Sequence, residues 1–288
     1  MPSIYWGPIE QGDILDKEWL RTIFEKYNFV GIIHLAAKIY VPESVEKPLQ
    51  YYQENITGTL NVLELAVEFK VGGIVFASTS AVYGILESDT PVQEDRATCP
   101  LSPYAETKVV IEHLLKHLWE SNHLPSAILR YFNVCGIDRE TDNTDGHSPH
   151  LIPCLVKAFQ QELVDVQIFG TDYSTKDGTC IRDYVHVVDV AHANVMALQH
   201  ILSEKKSIVA NIGTGKGNSV REIVGSVSQY SKKEFKEICL PRRKGDVPRV
   251  VANIDFAKNT LGWEPKNSSL EHIVGSYYGD KEAIPGHS

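Results

Sequence analysis

Two residues of the sequence have the types and spacing that proton transfer requires. Tyr104 and Lys108 are four positions apart near the start of a predicted helix over residues 103–121, so their side chains share one helix face. A free phenol titrates at about pH 10, and a nearby ammonium group is needed to stabilise its phenolate at neutral pH. The pair by itself is weak support for a site, because many helices contain this spacing by chance.

A cluster of hydroxyl side chains precedes this helix and strengthens the interpretation. The predicted strand over residues 73–79 ends in Ser78 and Thr79, and the carboxyl end of a parallel strand is where open α/β sheets bind ligands. The alternative is that these residues only form a turn. The Tyr–Lys pair begins 25 residues after Thr79, and a strand, terminal hydroxyls and this pair together favour a catalytic site.

The apolar runs predict the elements that position these residues. Strands are expected at 30–36, 73–79 and 127–133, and helices at 48–69 and 103–121. Continuous apolar strands separated by helices indicate a parallel sheet covered on both faces, which is a doubly wound α/β fold.

A polar loop over residues 138–149 interrupts this alternation and indicates a domain boundary. Beyond it the predicted elements are a helix at 151–162, a strand at 164–170, a helix at 187–202, a strand at 208–213 and a helix from about 219. We expect residues 1–136 to form the first domain, with 181–205 packing back on it. Residues 137–288 are expected mainly to form a smaller α/β lobe.

Composition and charge narrow the class of protein. The 288 residues are 43% hydrophobic and 23% charged, with a formal net charge of −9, which is ordinary globular usage. Nucleic acid or an anionic membrane is disfavoured as the main partner, because both need a basic face. The five cysteines form no CxxC pair, and no apolar run approaches the roughly 18 residues of a membrane helix. We therefore expect a cytoplasmic protein with reduced thiols.

Eight segments of the sequence form a recognisable series. They are HLAAKIYVPESVEKPLQYY at 34–52, NITGTLNVLE at 55–64, FASTSAVYG at 76–84, SPYAETK at 102–108, LRYFNVCG at 129–136, IFGTDYSTKDGTCIRDYVHVVD at 168–189, NIGTGKGNSV at 211–220 and RRKGDVPR at 242–249. In this order they resemble the extended short-chain dehydrogenase/reductases and, within them, the UDP-glucose 4-epimerases. The resemblance implies a Rossmann-like NAD-binding domain, a smaller lobe for a UDP-sugar and a homodimer. It also implies NAD-dependent interconversion of UDP-glucose and UDP-galactose through a 4-keto intermediate.

The same resemblance implies roles for individual residues. Tyr104 would act as the base on the sugar 4-hydroxyl, Lys108 would lower its pKa and hold the nicotinamide ribose, and Thr79 would hydrogen-bond the reacting oxygen. The other positions expected to contact NAD are Asp13, Ile14, Leu35, Ala36, Ala37, Asn55, Ser78 and Tyr131. The other positions expected to contact the UDP-sugar are Asn133, His150, Leu151, Phe169, Arg182, Arg243 and Asp246.

The expected substrate contacts divide by chemistry. Arg182 and Arg243 match diphosphate-binding arginines, and a guanidinium group pairs with phosphate oxygens bidentately. Asn133 matches a pyrophosphate contact, Asp246 a ribose contact, and Phe169 a ring beside the uracil.

The start of the chain departs from the family pattern. The family opens with a strand, a TGxxGxxG turn and a helix, which hold the NAD pyrophosphate on backbone N–H groups. Here Asp13 and Ile14 already match a later contact with adenine, so the first βαβ unit has no counterpart in this sequence. Because that unit supplies a central strand, we expect the 288-residue chain to be poorly stable or to bind NAD weakly.

Two further motifs are interpreted as structural. Residues 213–217, GTGKG, lie between a predicted strand and helix, but the spacing is GxGxG and not the GxGxxG of a dinucleotide site. His113 and His117 are one helical turn apart without an apparent third ligand, so we expect no metal site.

Small departures from the family bear on specificity and leave alternatives open. Val250 stands where some members have a bulky Tyr. The smaller side chain of Val250 is expected to admit N-acetylated sugars. A related nucleotide-sugar epimerase or dehydratase is the nearest alternative, but Ser80 and Ala81 lack the extra acid and base that elimination needs. A catalytically impaired fragment that only binds UDP-sugar is the second alternative.

Overall fold

The computed structural model describes residues 7–86, 90–138, 150–159, 165–243 and 246–278. Its helices include α1 (Lys17–Lys26), α2 (Val41–Glu46), α3 (Pro48–Tyr51), α4 (Gly58–Glu68), α5 (Pro103–Asn122), α6 (Leu151–Ala158), α7 (Val187–Glu204), α8 (Val220–Ser231) and α9 (Leu270–Tyr278). Its strands include β1 (Ile32–His34), β2 (Ile74–Thr79), β3 (Ser126–Tyr131), β4 (Asn133–Cys135), β5 (Asp165–Phe169), β6 (Ile181–Arg182), β7 (Tyr184–His186), β8 (Ile208–Ile212), β9 (Asn218–Ser219), β10 (Lys236–Leu240) and β11 (Arg249–Val250).

The main sheet of the described residues is parallel, with the strand order β1-β2-β3-β8. Side chains of β2 and β3 alternate between its two faces, as the pleat requires. Phe76 and Ile128 belong to a core under α1, α4 and α5, whereas Val75 and Leu129 belong to a core under α7. Because both faces are covered by helices, the predicted doubly wound α/β fold is confirmed.

The strand β8 joins this sheet although it lies late in the sequence. Its residues pair with β3, with Ile212 opposite Tyr131. The predicted strand at 208–213 therefore belongs in space with the strands that precede residue 136, next to α7. The boundary between 136 and 137 remains a prediction.

Within the described residues, β1 pairs only with β2, and residues 7–16 contain no strand. The two strands meet with Ile32 opposite Ile74 and His34 opposite Phe76. A strand at the edge of a sheet leaves one row of backbone hydrogen-bonding groups without a strand partner. The expectation of poor stability or weak NAD binding remains a prediction.

The helix α5 begins where its sequence predicts. The Ser102 side chain accepts a hydrogen bond from the Ala105 N–H at 3.2 Å, and Pro103 occupies the first turn, where its missing N–H costs nothing. The helix ends at Asn122, and the residue that caps it, His123, has a φ of 55°. This start places Tyr104 in the first turn, beside the end of β2.

The predicted helix at 48–69 is continuous but not uniformly α-helical. The residues between α3 and α4, Tyr52–Thr57, form a π-helical segment. Such segments are frequent at functional sites, because they change which side chains face a neighbouring element. Here the segment contains the buried Asn55.

A third core lies between shorter elements. It contains Ile152 of α6, Ile168 of β5, Val224 of α8 and Ile273 of α9. Three small sheets belong to this part of the structure: β4 pairs with β7, β5 with β10, and β6 with β9 and β11, and β4, β5 and β7 contribute side chains to the core. These elements form the smaller α/β lobe that the sequence predicts.

Three negative observations apply to the described part of the chain. No helix there is long and apolar enough to cross a membrane. No group of three or more His, Cys, Asp or Glu side chains there could hold a metal ion. The five cysteines, all of which lie in described segments, are free thiols.

Candidate active site

Tyr104 and Lys108 lie together in the interface between α5 and β2. Their exposed fractions are only 8% and 3%. The Lys108 Nζ donates a hydrogen bond to the Ala77 carbonyl oxygen at 2.8 Å, and it lies 5.9 Å from the centre of the Tyr104 ring. It also lies 4.8 Å from the centre of the Phe76 ring. The predicted pair is therefore close to the carboxyl end of β2.

Thr79, the last residue of β2, completes this group. Its hydroxyl interacts with the Tyr104 side chain and acts to lower the pKa of that phenol, and it accepts a hydrogen bond from the Ala81 N–H at 3.2 Å. The backbone of Thr79 pairs with Tyr131 at the end of β3. A hydroxyl, a phenol and an ammonium group thus converge at the edge of the sheet where α/β folds bind ligands.

The electrostatics of this group set the charge of the lysine. Burial lowers the pKa of Lys108 to about 8, and the Glu112 carboxylate opposes this change. Burial raises the pKa of Tyr104, and the interaction with the Thr79 hydroxyl acts in the opposite direction. Because Lys108 is mostly protonated at pH 7, it can stabilise a phenolate next to it.

A buried polar network behind Lys108 was not expected from the sequence. Glu112 forms a buried ion pair with Arg130 of β3, and Ser78 donates to the same carboxylate. The Arg130 Nη1 also donates to the Tyr83 hydroxyl at 3.0 Å. The available signals were an acidic residue four positions after Lys108 and an arginine within the apolar run AILRYF.

The positions expected to contact NAD are spread over several chain segments. Leu35 and Ala36, directly after β1, are exposed, and Ala37 is half-buried. Ile14, before α1, is held by Asn61, whose Nδ2 donates to the Ile14 carbonyl oxygen at 3.0 Å. Asp13 is exposed, and its carboxylate accepts from the Leu15 N–H at 2.9 Å.

Asn55, another expected NAD contact, has its side-chain amide already engaged. Its Oδ1 accepts from the Lys38 N–H at 2.8 Å and its Nδ2 donates to the Lys38 carbonyl oxygen at 3.0 Å. The Nδ2 also donates to Thr107 of α5 at 3.1 Å. Asn55 therefore fastens the segment after β1 to the helix that carries Tyr104.

Two further expected NAD contacts have side chains directed into the protein. The Ser78 hydroxyl donates to Glu112, and the Tyr131 hydroxyl donates to Asn194 at 2.7 Å.

His34, at the end of β1, was not predicted for the site, yet burial lowers its pKa to about 4 and the Lys108 charge acts in the same direction. An imidazole within an apolar strand was the signal that could have indicated it.

The residues at this edge fit the nicotinamide half of NAD. The Lys108 ammonium and the Tyr104 phenol are suitable partners for ribose hydroxyls, and exposed Leu35 and Ala36 offer apolar surface to a flat ring. For the pyrophosphate, residues 7–16 contribute no strand followed by a glycine-rich turn, as far as the structure describes them.

Four of the expected substrate contacts form a second group in the smaller lobe. The Arg243 guanidinium carbon lies 3.8 Å from the centre of the Phe169 ring, a cation–π arrangement. The Arg182 Nη1 donates to the Val247 carbonyl oxygen at 2.8 Å, and its Nη2 lies 3.5 Å from the Asp246 carboxylate. Phe169, Arg182, Arg243 and Asp246 thus lie at one place, although they come from three chain segments.

The remaining substrate positions lie on other elements. Asn133 is exposed at the start of β4, and its N–H donates to the Asp183 carbonyl oxygen at 2.9 Å. His150 is exposed and precedes the first turn of α6, whereas Leu151 packs against the core of the smaller lobe. Paired strands connect the two groups. Thr79 of β2 is opposite Tyr131 of β3. Asn133 of β4, two residues after Tyr131, is opposite Tyr184 of β7.

The glycine-rich loop at 213–217 surrounds an internal carboxylate. Asp183, which is fully buried, accepts from the Thr214 N–H at 2.7 Å and the Gly215 N–H at 3.0 Å. A Cβ on Gly213 would lie 2.7 Å from the same carboxylate. The loop therefore uses its N–H groups to hold Asp183, in agreement with its interpretation as structural.

The fold and the site together define a class of enzyme: an α/β protein with a Tyr–Lys pair and a hydroxyl at the carboxyl edge of a parallel sheet. Residues 4–213 match the model of the NAD dependent epimerase/dehydratase family, and the chain belongs to this family. The resemblance stated from the eight segments is thereby confirmed.

Individual relatives support the same assignment. The chain is 39% identical to the UDP-glucose 4-epimerase of Rhizobium leguminosarum bv. trifolii over 276 residues, 95% of this chain and 84% of the relative. The crystal structure of the Brucella ovis UDP-glucose 4-epimerase in complex with NAD superposes with a TM-score of 0.89 at 37% identity, covering 95% of this chain and 84% of that one. The UDP-Glc/GlcNAc 4-epimerase of Campylobacter jejuni gives a TM-score of 0.81 at 35% identity, covering 93% and 82%.

Proposed function

We propose that this protein is an NAD-dependent isomerase that interconverts UDP-glucose and UDP-galactose at carbon 4. The observation that carries this proposal is the group formed by buried Tyr104, buried Lys108 and half-buried Thr79 at the carboxyl end of β2. The relatives named UDP-glucose 4-epimerase, which match most of the chain, support the choice of reaction.

The proposed mechanism assigns proton transfer to Tyr104. As phenolate it removes the proton from the sugar 4-hydroxyl, and Thr79 hydrogen-bonds the same oxygen. Lys108, tied to Ala77, stabilises the phenolate. NAD, when bound, supplies the acceptor and then the donor of the hydride. The 4-keto sugar then rotates in the pocket and presents its opposite face. Tyr104 returns the proton to the oxygen on carbon 4, and the opposite epimer is formed.

The group in the smaller lobe is proposed to hold the nucleotide part of the substrate. Arg182 and Arg243 would pair with the diphosphate, Asp246 with the ribose, and Phe169 would lie against the uracil. Because the guanidinium groups are held by neighbours before binding, little further ordering is needed when the diphosphate arrives. Asn133, His150 and Leu151 are proposed as additional contacts.

A small residue at position 250 supports a broader substrate range. Val250 is half-buried in β11, opposite Arg182 of β6 in the parallel pair. We propose that its side chain leaves room for an N-acetyl group, so that the protein also accepts UDP-N-acetylglucosamine. The similarity to the Campylobacter jejuni UDP-Glc/GlcNAc 4-epimerase is in agreement with this range.

We propose that the protein acts as a homodimer in the cytoplasm. Exposed apolar side chains on α2 and α3, among them Val45 and Leu49 at 63% and 84% exposure, would be covered by a second copy. Free thiols are in agreement with a reducing compartment. Light scattering of the protein and of a Leu49→Glu variant tests the dimer, which the variant is expected to weaken.

The reaction is tested by supplying the purified protein with UDP-galactose and NAD and separating the products by chromatography. We expect UDP-glucose to accumulate to an equilibrium mixture that is also reached from UDP-glucose. A 4-keto-6-deoxy sugar nucleotide as product would assign the protein to the dehydratases. Binding of UDP-sugar without turnover, in the presence of NAD, would assign it to the impaired fragment of the second alternative.

A further inference from the structure

The helix that carries Tyr104 and Lys108 has a third ionisable side chain on the same face. Glu112 follows Lys108 by four residues, which is one turn along α5. Its side chain is only 6% exposed. Burial of a carboxylate is costly unless it is paired and hydrogen-bonded. The presence of Glu112 close to Thr79, Tyr104 and Lys108, which together form the active group, therefore needs a physical reason.

Both oxygens of the Glu112 carboxylate are held by neighbours. The Arg130 Nη2 donates to Oε2 at 2.7 Å and the Arg130 Nε to Oε1 at 3.1 Å. Ser78 also donates to Oε1. Because Arg130 comes from β3 and Ser78 from β2, the position of the carboxylate is fixed from two strands of the sheet.

The charged and titratable groups around Lys108 come from three elements. Tyr104 and Glu112 lie on its own helix, His34 lies on β1, and Arg130 on β3 holds Glu112. From β2, Phe76 and Ala77 contribute a ring and a carbonyl oxygen. His34 is neutral at pH 7, because its pKa is lowered to about 4. Glu112 is therefore the anionic neighbour that opposes the effect of burial on Lys108.

We propose that Glu112 is a positioning residue of the reaction: its fixed negative charge keeps Lys108 protonated, and Lys108 in turn stabilises the Tyr104 phenolate. Glu112 does not touch the substrate and acts through Lys108. Arg130 and Ser78 serve by fixing the carboxylate in place. The inference rests on the proposed function of Tyr104 and extends it by one residue.

The test is a titration of Lys108 in the whole protein, independent of turnover. The protein is labelled with [ε-¹³C]lysine, and the Lys108 resonance is identified by its loss in Lys108→Arg. In Glu112→Gln, which keeps the size of the side chain, we expect the Lys108 midpoint to fall by about one pH unit or more. The control Glu120→Gln removes the same charge from an exposed position of α5 and should leave the midpoint unchanged.

The second measurement is the pH profile of kcat for UDP-galactose. With Lys108 less protonated, the acidic limb of the Glu112→Gln profile should move to higher pH, and kcat near pH 7 should fall about tenfold, with KM nearly unchanged. Glu112→Asp, which restores the charge, should recover most of both properties. An unshifted Lys108 midpoint in folded Glu112→Gln overturns the proposal, whatever happens to kcat.

A folding defect in Glu112→Gln is addressed by a double variant. Glu112→Gln with Arg130→Gln also removes the guanidinium group that the single variant leaves buried without its carboxylate, and Glu112 is the charged neighbour that raises the pKa of Lys108. The Lys108 midpoint should still fall in this variant, and a midpoint equal to that of the wild type overturns the proposal. If wild-type protein has no epimerase activity but the midpoint falls as expected, the proposed function fails while the coupling between Glu112 and Lys108 stands.

Discussion

The ammonium group of Lys108 is bonded to the backbone of Ala77, at 2.8 Å from its carbonyl oxygen. This bond joins the helix α5 to the strand β2 two residues before Thr79. Because Tyr104 and Thr79 come from these two elements, the bond helps to set the distance between the proposed base and the hydroxyl proposed to assist it. Positioning of this kind supplies a large part of enzymatic rate acceleration.

Replacement of Tyr104 by Phe removes the group proposed to transfer the proton. We expect kcat to fall by about 10²- to 10⁴-fold, the usual contribution of general acid–base catalysis, while the affinity for UDP stays near that of the wild type. Initial rates with UDP-galactose and calorimetric titration with UDP measure the two properties. The control Tyr27→Phe removes a phenol at the end of α1. Full activity in Tyr104→Phe would exclude the proposed base.

Two adjacent arginines provide a matched test of the diphosphate site. Arg243 lies over Phe169, whereas Arg242 lies over Tyr173 and donates to Asp172 at 2.7 Å. We expect Arg243→Gln to raise KM for UDP-galactose by about tenfold or more, because a hydrogen bond to a charged group contributes about 1.5–3 kcal/mol.

The expected effect of Arg242→Gln on KM is small, since its charge is already used within the protein. Steady-state kinetics of both variants at the same ionic strength make the comparison. Equal increases in KM would show that general positive charge, and not the position of Arg243, matters for binding.

The active group could be predicted because its residues are close in sequence or at the ends of predicted elements. The four-residue spacing of Tyr104 and Lys108 determines their common face once α5 is assigned. Thr79 follows because a parallel strand delivers its carboxyl end to the same edge. Periodicity and strand direction were sufficient to group these side chains, whereas their catalytic roles come from the family resemblance and stay predictions.

The network behind the active group could not be predicted, because it depends on tertiary pairing. Glu112 and Arg130 are 18 residues apart in different elements, and no local pattern relates a helix residue to a strand residue that distant. Glu112 alone resembles an ordinary helix surface residue. The place of β8 beside β3 was missed for the same reason, since strand order is not contained in the apolar pattern of one strand.

The buried ion pair makes a prediction about stability. In Arg130→Met the Glu112 carboxylate remains buried without its cation, and we expect a loss of about 3–5 kcal/mol in the free energy of unfolding. The control is Arg21→Met, which breaks the exposed ion pair with Glu68 and should have a much smaller effect. Urea unfolding followed by circular dichroism measures both. Similar losses in the two variants would contradict the assignment of Arg130 to the buried network.

The lowered pKa of His34 predicts how the stability of the protein depends on pH. Its pKa is lowered from 6.5 to about 4 in the folded protein, so between these values the unfolded chain binds the proton more tightly. Stability should therefore fall as the pH is lowered from 6.5 towards 4, by on the order of 3 kcal/mol from this residue. Above pH 6.5 the residue is neutral in both states and contributes no slope.

The variant His34→Gln isolates this contribution, because glutamine does not titrate and can still bond Thr59, which lies 2.9 Å from the His34 Nε2. The free energy of unfolding of His34→Gln should depend less on pH between 6.5 and 4 than that of the wild type. His113→Gln, at an exposed position of α5, should retain the wild-type slope. Parallel curves for wild type and His34→Gln would show that His34 titrates normally.

Val250 makes a prediction about substrate choice. If the small side chain admits an N-acetyl group, Val250→Tyr should reduce kcat/KM for UDP-N-acetylglucosamine by about tenfold or more relative to kcat/KM for UDP-glucose. The reason is that a bulkier side chain in a filled pocket costs about 1–3 kcal/mol. Val250→Ala, which only removes volume, should keep the wild-type ratio. Competition between the two sugar nucleotides in one reaction measures the ratio directly. If the wild type rejects UDP-N-acetylglucosamine while it turns over UDP-glucose, position 250 does not set the substrate range, and the small side chain has only a packing role beside Ala252 and Ile254.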